Sequence, residues 1–247
     1  MTLTRRSLVL GAGALLAGCD RLAQVPAARK ILFSGEVMNR GLQRALSNRG
    51  ALAPEFSAAD MSPIFRSNGT ADPGTPDYNN LAAGKFSDYR LQIGGLVARP
   101  LTLALPDLVS MPARTQITRH DCVEGWSAIG KWHGPVLGDV LKAAGIRQAA
   151  RYIVFTCFDL YRGANYYESI DLVDAFHPQT ILAWALNDRL LPVRNGAPVR
   201  LRVERQLGYK QAKYISRIDA VASLAGIGKG KGGYWEDNVD YDWYAGI

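Results

Sequence analysis

Short β-type runs, widely separated along the chain, set the strongest limit on what this sequence can fold into. Tyr89–Val97, Arg114–His120, Arg151–Phe158, Pro198–Glu204 and Tyr214–Ala222 are rich in β-branched, aromatic and alternating apolar residues. Only Val136–Ala144, closed by Gly145, has a clear helical period with a glycine stop. A weaker helix is expected over 35–48, where Val37, Leu42, Ala45 and Leu46 recur at mixed helical spacing. Residues 66–80 are dense in turn formers and read as a loop. Asn187-Asp188, within Thr180–Leu191, is suited to turning a strand pair. Gly226–Gly233 reads as a glycine-rich loop, followed by an aromatic and acidic tail. The expected class is α+β, with mixed short strands, long loops and few helices. At 247 residues with 48% hydrophobic side chains, the chain can bury a sizeable core.

The N-terminus reads as an address. Arg5 and Arg6 precede an apolar stretch, Leu8 to Leu16, which is too short to span a bilayer comfortably and has the size of a signal core. The pair fits a twin-arginine export signal. Leu16-Ala17-Gly18-Cys19 then looks like a lipobox, whose cysteine would carry lipid. An uncleaved anchor and a non-lipidated signal are the other readings. The expected organisation is a signal over 1–18, a tether over 19–34 and a catalytic domain over 35–247. The expected location is periplasmic or extracytoplasmic, with the membrane reached only through the signal or a lipid on Cys19.

The formal charge is +7, or +5 without Arg5 and Arg6. No long Lys/Arg run accompanies it, which argues against nucleic acid and leaves room for a phosphorylated or acidic ligand. Three cysteines, Cys19, Cys122 and Cys157, make a poor disulfide framework.

Two segments carry candidate chemistry. In Arg119–Leu137, Cys122 closes a β-type run and is followed by Trp126 and Trp132. The residues alone leave three readings: an inert buried thiol, a nucleophile with His120 or His133 as base, or a soft thiolate metal ligand. Neither CxxC, HExxH nor CxxCH occurs, so common zinc and c-type heme sites have no support. In Asn187–Tyr214 an Asn195-Gly196 turn feeds a run with Arg200, Arg202 and Arg205, then a glycine-bearing loop with Lys210 and Lys213. Such a set suits phosphate oxygens, although a solvated basic edge would look the same.

Together these segments resemble the molybdopterin-binding domain of the sulfite-oxidase family. The similarity is closest to exported catalytic subunits of bacterial protein-methionine-sulfoxide reductases. Asp121-Cys122-Val123-Glu124 with Trp126 matches the stretch that supplies a thiolate to molybdenum. Asn195-Gly196-Ala197-Pro198-Val199-Arg200-Leu201, followed by Gly208-Tyr209-Lys210 and Gln211-Ala212-Lys213, matches the stretch that holds the pterin. Tyr78-Asn79-Asn80 and His177-Pro178 match two further motifs. The resemblance implies a molybdenum–molybdopterin cofactor and oxygen-atom transfer. Cys122 would ligate the metal, Arg200 and Lys213 would neutralise the pterin phosphate, and Asn79, Asn195, Gln211 and Ala212 would contact the ring system. His120, Trp126 and Tyr166 are pocket candidates, with Tyr166 as a proton relay beside the metal. By spacing from Cys122, a cofactor-contacting threonine of the reductases falls at Cys157.

Sulfite oxidases carry an arginine-rich stretch just after the metal cysteine. Here those places hold Gly125, Trp126 and Ser127, which favours a sulfoxide-type substrate, small or methionine-borne, over sulfite or another small oxyanion. The family's appended dimerisation domain is not seen, so a monomer is expected. With no heme motif, a separate electron-transfer partner is implied: a membrane heme protein, a cytochrome or the quinone pool. The competing reading is a non-catalytic, ligand-binding lipoprotein.

Overall fold

A computed structural model describes residues 25–46 and 48–247. The signal segment and Cys19 lie outside the described residues. The chain divides into two compact units, Met1–Ser47 and Asn48–Ile247.

In the first unit, helix α1 spans Pro26–Leu46. The expected helix over 35–48 is therefore longer on its N-terminal side, and the stretch read as a tether is helical from Pro26 onward. Proline at the first helical position explains the start, since its missing N–H would have no intrahelical partner there. Ile31, Met38, Leu42 and Leu46 are exposed along the helix. No described helix is long and apolar enough to cross a membrane.

The second unit has the expected α+β character. A five-stranded sheet has the order β2-β1-β11-β5-β6. Its strands are β1 (Arg90–Gly95), β2 (Leu101–Ala104), β5 (Tyr152–Tyr161), β6 (Ala164–Asp171) and β11 (Ile215–Val221). Only β1 and β11 pair parallel, so strands near the two ends of the unit meet at its centre. A four-stranded sheet orders β3 (Ala113–Cys122), β4 (Trp126–Pro135), β8 (Ala185–Leu186) and β9 (Arg189–Leu190). Asn187 and Asp188 turn β8 into β9 with φ of 52° and 61°, the left-handed conformation that Asn and Asp tolerate best. The remaining pair is β7 (Ile181–Ala183) with β10 (Arg200–Arg202). β10 is shorter than the expected Pro198–Glu204.

Residues 76–80, expected in a loop, belong to helix α2, Pro76–Ala83. The Thr75 side chain accepts a hydrogen bond from the Tyr78 N–H, and Pro76 sits at the helix start. Its turn formers are thus the cap. Helices α3 (Leu105–Ser110), α4 (Leu137–Ala144), α5 (Leu172–Ala175) and α6 (Tyr234–Val239) complete the unit. α4 ends at Gly145 in the left-handed region, as its pattern predicts.

The main core joins Leu91, Ile93, Leu137, Leu141, Ile153, Phe155 and Ile218, all at most 2% exposed. A smaller cluster gathers Phe65, Trp132, Ile181 and Leu186 under the β3–β4 hairpin. The candidate chemistry collects beside these cores, on buried strand faces that carry polar side chains.

Candidate functional site

Strand alternation positions Cys122. Side chains two apart share a face, and on β3 the inward row is Gln116, Thr118, His120 and Cys122, each at most 9% exposed. Cys122 ends that row and pairs with Trp126 across the hairpin. The turn closes with the Gly125 N–H donating to the Cys122 carbonyl at 3.0 Å, with Gly125 in the left-handed region. The thiol lines an open cleft. Burial pushes its pKa up; a hydrogen bond with the Glu124 backbone opposes the rise, and the Glu124 carboxylate adds to it. A bound cation would reverse that, since metal coordination deprotonates a thiol.

A second inward row reaches the cleft on β5. Ile153, Phe155, Cys157 and Asp159 are buried along one face. Cys157 is fully buried within the main core, and Asp159 emerges into the cleft. Burial lifts the Asp159 carboxyl to about 6, and its Oδ1 has no partner. The loop before α2 forms another wall through Asn68, Gly69 and Thr70. Tyr166 lines the cleft from β6, but its hydroxyl donates to the Tyr209 carbonyl at 2.8 Å, and burial with nearby Glu168 holds its pKa far above normal. Its proton is therefore far less available than that of Asp159.

Behind the cleft lies a group of buried donors. Arg200 is fully buried. Its Nη1 donates to the Asn195 carbonyl at 3.0 Å and its Nη2 to the Gln211 carbonyl at 3.3 Å, while Nε has no partner. The side-chain nitrogen of Asn195 is also unpartnered. Lys213 lines the cleft; its ammonium donates to the Thr70 carbonyl and to the Arg194 carbonyl at 3.1 Å. Burial, reinforced by neighbouring cations, lowers Arg200 to about 9 and Lys213 to about 7. Gly196, at φ 109°, lets this group close up: a Cβ there would lie 2.9 Å from Lys213 Cβ and 3.1 Å from Arg200 Cβ. Tyr78 ties α2 to the same loop, its hydroxyl donating to the Ala197 carbonyl at 2.7 Å.

His120 Nδ1 lies 3.4 Å from Gln211 Oε1 and closer to the Arg202 guanidinium, and the shorter contact sets its role. The Arg202 Nη1, which can only donate, lies 2.9 Å from His120 Nδ1. Nδ1 therefore accepts and the proton sits on Nε2. Burial and the adjacent Arg202 hold the ring neutral. Nε2 has no partner and borders Gly208, a cleft residue; a Cβ at Gly208 would come within 2.5 Å of it.

Comparison with known proteins gives this arrangement a family. Residues 79–224 match the oxidoreductase molybdopterin-binding domain. The chain belongs to that family. It is a molybdopterin-dependent oxidoreductase, as its motifs imply. A protein of Azospira oryzae, provisionally named protein-methionine-sulfoxide reductase subunit YedZ1, is 36% identical over 98% of this chain and 86% of its own length. MsrP catalytic subunits of protein-methionine-sulfoxide reductase are also similar. That of Ralstonia nicotianae is 36% identical over 67% of this chain and 58% of its own. That of Xanthomonas axonopodis pv. citri is 36% identical over 57% and 47%. The chain thus spans about half the length of these MsrP relatives. In fold, the sulfane dehydrogenase SoxCD from Paracoccus pantotrophus aligns with a TM-score of 0.51 at 22% identity, over 56% of this chain and 39% of that one.

Within this oxidoreductase, Cys122, Tyr166, Gln211, Ala212 and Lys213 all line the one cleft, and Asn195 and Arg200 stand directly behind it. Two candidates are elsewhere. Asn79 is exposed on α2; the neighbouring Tyr78 is the residue turned inward. Cys157 is in the core, because the inward row of β5 meets the cleft one step later, at Asp159. Glu124 lines the cleft from within the motif already matched, whereas Asp159, the 68–70 loop, Trp235 and Tyr241 had not been expected as lining residues. None lies at a recognisable chemical spacing; only the turn-rich loop composition hinted at a wall.

Proposed function

We propose that the chain is an exported molybdenum–molybdopterin enzyme that reduces a sulfoxide-type substrate to a thioether. The observation that carries this reading is one cleft with a hairpin-end thiol on its wall and an unneutralised set of buried donors directly behind it. Among the described residues Arg200 Nε and Asn195 Nδ2 lack hydrogen-bond partners, and Lys213 donates to carbonyl and hydroxyl oxygens but forms no ion pair. Unpaired buried donors are costly, and a phosphate would satisfy them with charge-assisted bonds. The residues therefore fit a phosphorylated pterin. Arg200, Lys213 and Asn195 would hold its phosphate, Gln211, Ala212 and the His120 Nε2–H would meet its ring system, and Cys122 would supply a thiolate to its metal. When bound, the cofactor supplies a metal centre that exchanges an electron pair with the substrate.

The net reaction is sulfoxide plus two electrons and two protons giving thioether and water. Asp159, titrating at about 6 at the cleft, is suited to deliver a proton. Glu124 and Asp159 also oppose a sulfite dianion, which favours an uncharged sulfoxide. The electrons would come from a separate carrier: a membrane heme protein, a cytochrome or the quinone pool. The Arg5-Arg6 signal and Cys19 lipobox support a periplasmic enzyme held at the membrane by lipid. The exposed apolar residues of α1 are consistent with a location at that surface.

The test is reduction of methionine sulfoxide by protein exported from its native host. Wild type should hold about one molybdenum per chain and turn over the sulfoxide. Cys122→Ser should lose more than about 100-fold in rate with its fold intact, since even residues behind a metal's ligands cost 10- to 100-fold. Sulfite oxidation without sulfoxide turnover would overturn the substrate assignment; full activity in Cys122→Ser would overturn the ligand.

A further inference from the structure

The last strand of the five-stranded sheet ends at Val221, and the family match ends at residue 224. The segment after it returns to the cleft. α6 and the turn beyond it place Trp235 and Tyr241 on the cleft wall. Their rings complete an arc. Tyr161 lies 5.4 Å from Trp235, Trp235 6.1 Å from Tyr241, and Tyr241 5.0 Å from Tyr209, centroid to centroid. All four rings line the cleft.

The arc is anchored from beneath by charge. Lys210, fully buried, donates to Glu168 on β6 at 2.5 Å and to Glu236 on α6 at 2.6 Å. Next to Glu236, Asp237 accepts from the Tyr167 hydroxyl at 2.5 Å and from the backbone N–H groups of Lys229 and Lys231 at 2.8 and 2.9 Å. The glycine-rich loop is thereby folded around one carboxylate. Beyond α6, the Tyr209 hydroxyl donates to the Asp242 carbonyl at 2.6 Å, and the Trp243 indole to Ser169 Oγ at 2.8 Å. So large a set of buried polar ties gives the aromatic wall a single position, which recognition of a small substrate requires.

We propose that this C-terminal segment is the substrate-selecting wall, with Trp235 and Tyr241 receiving the S-methyl and methylene groups of a thioether sulfoxide such as a methionine sulfoxide side chain. The inference rests on the sulfoxide reading above and adds the residues that choose the substrate. Aromatic faces and edges favour sulfur and its polarised methyl groups. They offer nothing to a bare inorganic oxyanion, for which the cleft also presents Glu124 and Asp159. Specificity would then come from an attractive apolar wall and a repulsive pair of acids together. Glu236 and Lys210 are positioning residues: they touch no substrate and hold the wall.

The test uses metal-loaded holoenzyme with L-methionine sulfoxide, dimethyl sulfoxide and sulfite. Trp235→Ala and Tyr241→Ala should each raise KM for methionine sulfoxide by about tenfold or more, the usual scale for lost apolar contacts in a pocket. kcat should change by less than about twofold and molybdenum content not at all, with Trp235→Phe restoring most of the affinity. Dimethyl sulfoxide, with fewer methylenes, should lose less. Methionine sulfoxide should change the tryptophan fluorescence of the wild type but not of Trp235→Phe, a readout independent of turnover. Unchanged KM in metal-replete Trp235→Ala and Tyr241→Ala, with a fluorescence response that survives in Trp235→Phe, would overturn the proposal. Absence of any sulfoxide turnover or binding in the wild type would instead overturn the reading on which it rests.

Discussion

Two pairs of buried cations lie within one short stretch, and the fold treats them in opposite ways. Arg202 is bound to Glu204 at 2.6 Å, both fully buried, and Lys210 sits between Glu168 and Glu236. Arg200 is two residues before Arg202 and equally buried, yet it meets two carbonyls and the Trp132 ring, 5.0 Å from its guanidinium carbon, and no carboxylate among the described residues. Lys213 is three residues after Lys210 and is met by carbonyls and a hydroxyl. Among the described residues neither forms an ion pair. The carboxylates raise the pKa of Lys210, whereas burial beside Arg200 depresses Lys213 to about 7. A protein seldom buries a charge without a partner. The paired cations belong to the scaffold. The unpaired ones are the residues that, in the function proposed above, an anion from outside the chain would complete.

That contrast can be broken most forcefully at Lys210. Lys210→Met leaves two carboxylates facing each other without a counter-ion, and should destabilise the protein by about 3–5 kcal/mol. Urea denaturation of the cofactor-free protein measures this; a loss under about 1 kcal/mol would remove Lys210 from the scaffold. Arg200→Ala should behave oppositely. Cofactor-free protein should keep its stability or gain some, because an unmatched buried cation is gone. Cofactor retention should fall about 10- to 100-fold, the equivalent of a charge-assisted hydrogen bond of about 1.5–3 kcal/mol. Pterin and molybdenum content after gel filtration reads it, and equal content in both proteins would refute the cradle.

A third way to break the contrast is through pH dependence. In cofactor-free protein Lys213 titrates at about 7, against 10.5 for the ordinary side chain. Between those values the unfolded chain binds more protons than the native one, so stability rises with pH from about 7 towards about 10. Lys213→Met should flatten that rise, and so should cofactor loading, since a phosphate returns the lysine to its charged form. Thermal melts across this range in the three samples would show it; a rise of equal slope in all three would assign the effect elsewhere.

Much of the site was legible once its motifs were set beside the family's, and strand alternation explains why such local motifs carry over. The inward row of β3 puts Cys122 on the buried face wherever the strand packs, and the motif around Asn195, Arg200 and Lys213 carries its donors close together in sequence. Asn79 and Cys157 show where such transfer stops. One residue along α2 separates the buried Tyr78 from the exposed Asn79, and two along β5 separate the core Cys157 from the cleft-lining Asp159. A register difference that small leaves no trace in composition. Likewise residues 76–80 read as turn because the signals that cap a helix and those that make a loop are the same residue types.

By itself the sequence determined the class, the short strands, the basic stretch and the thiol at the end of a strand, because these follow from local periodicity and from side-chain chemistry at close spacing. Only the tertiary structure decided which buried cations have carboxylate partners and which residues close the open side of the cleft. Glu168 and Glu236 reach Lys210 from 42 and 26 residues away, and Trp235 meets Tyr161 from a segment that looked like a tail. Pairing and closure depend on distances of a few ångströms between distant parts of the chain, and those exist only once the sheets have packed.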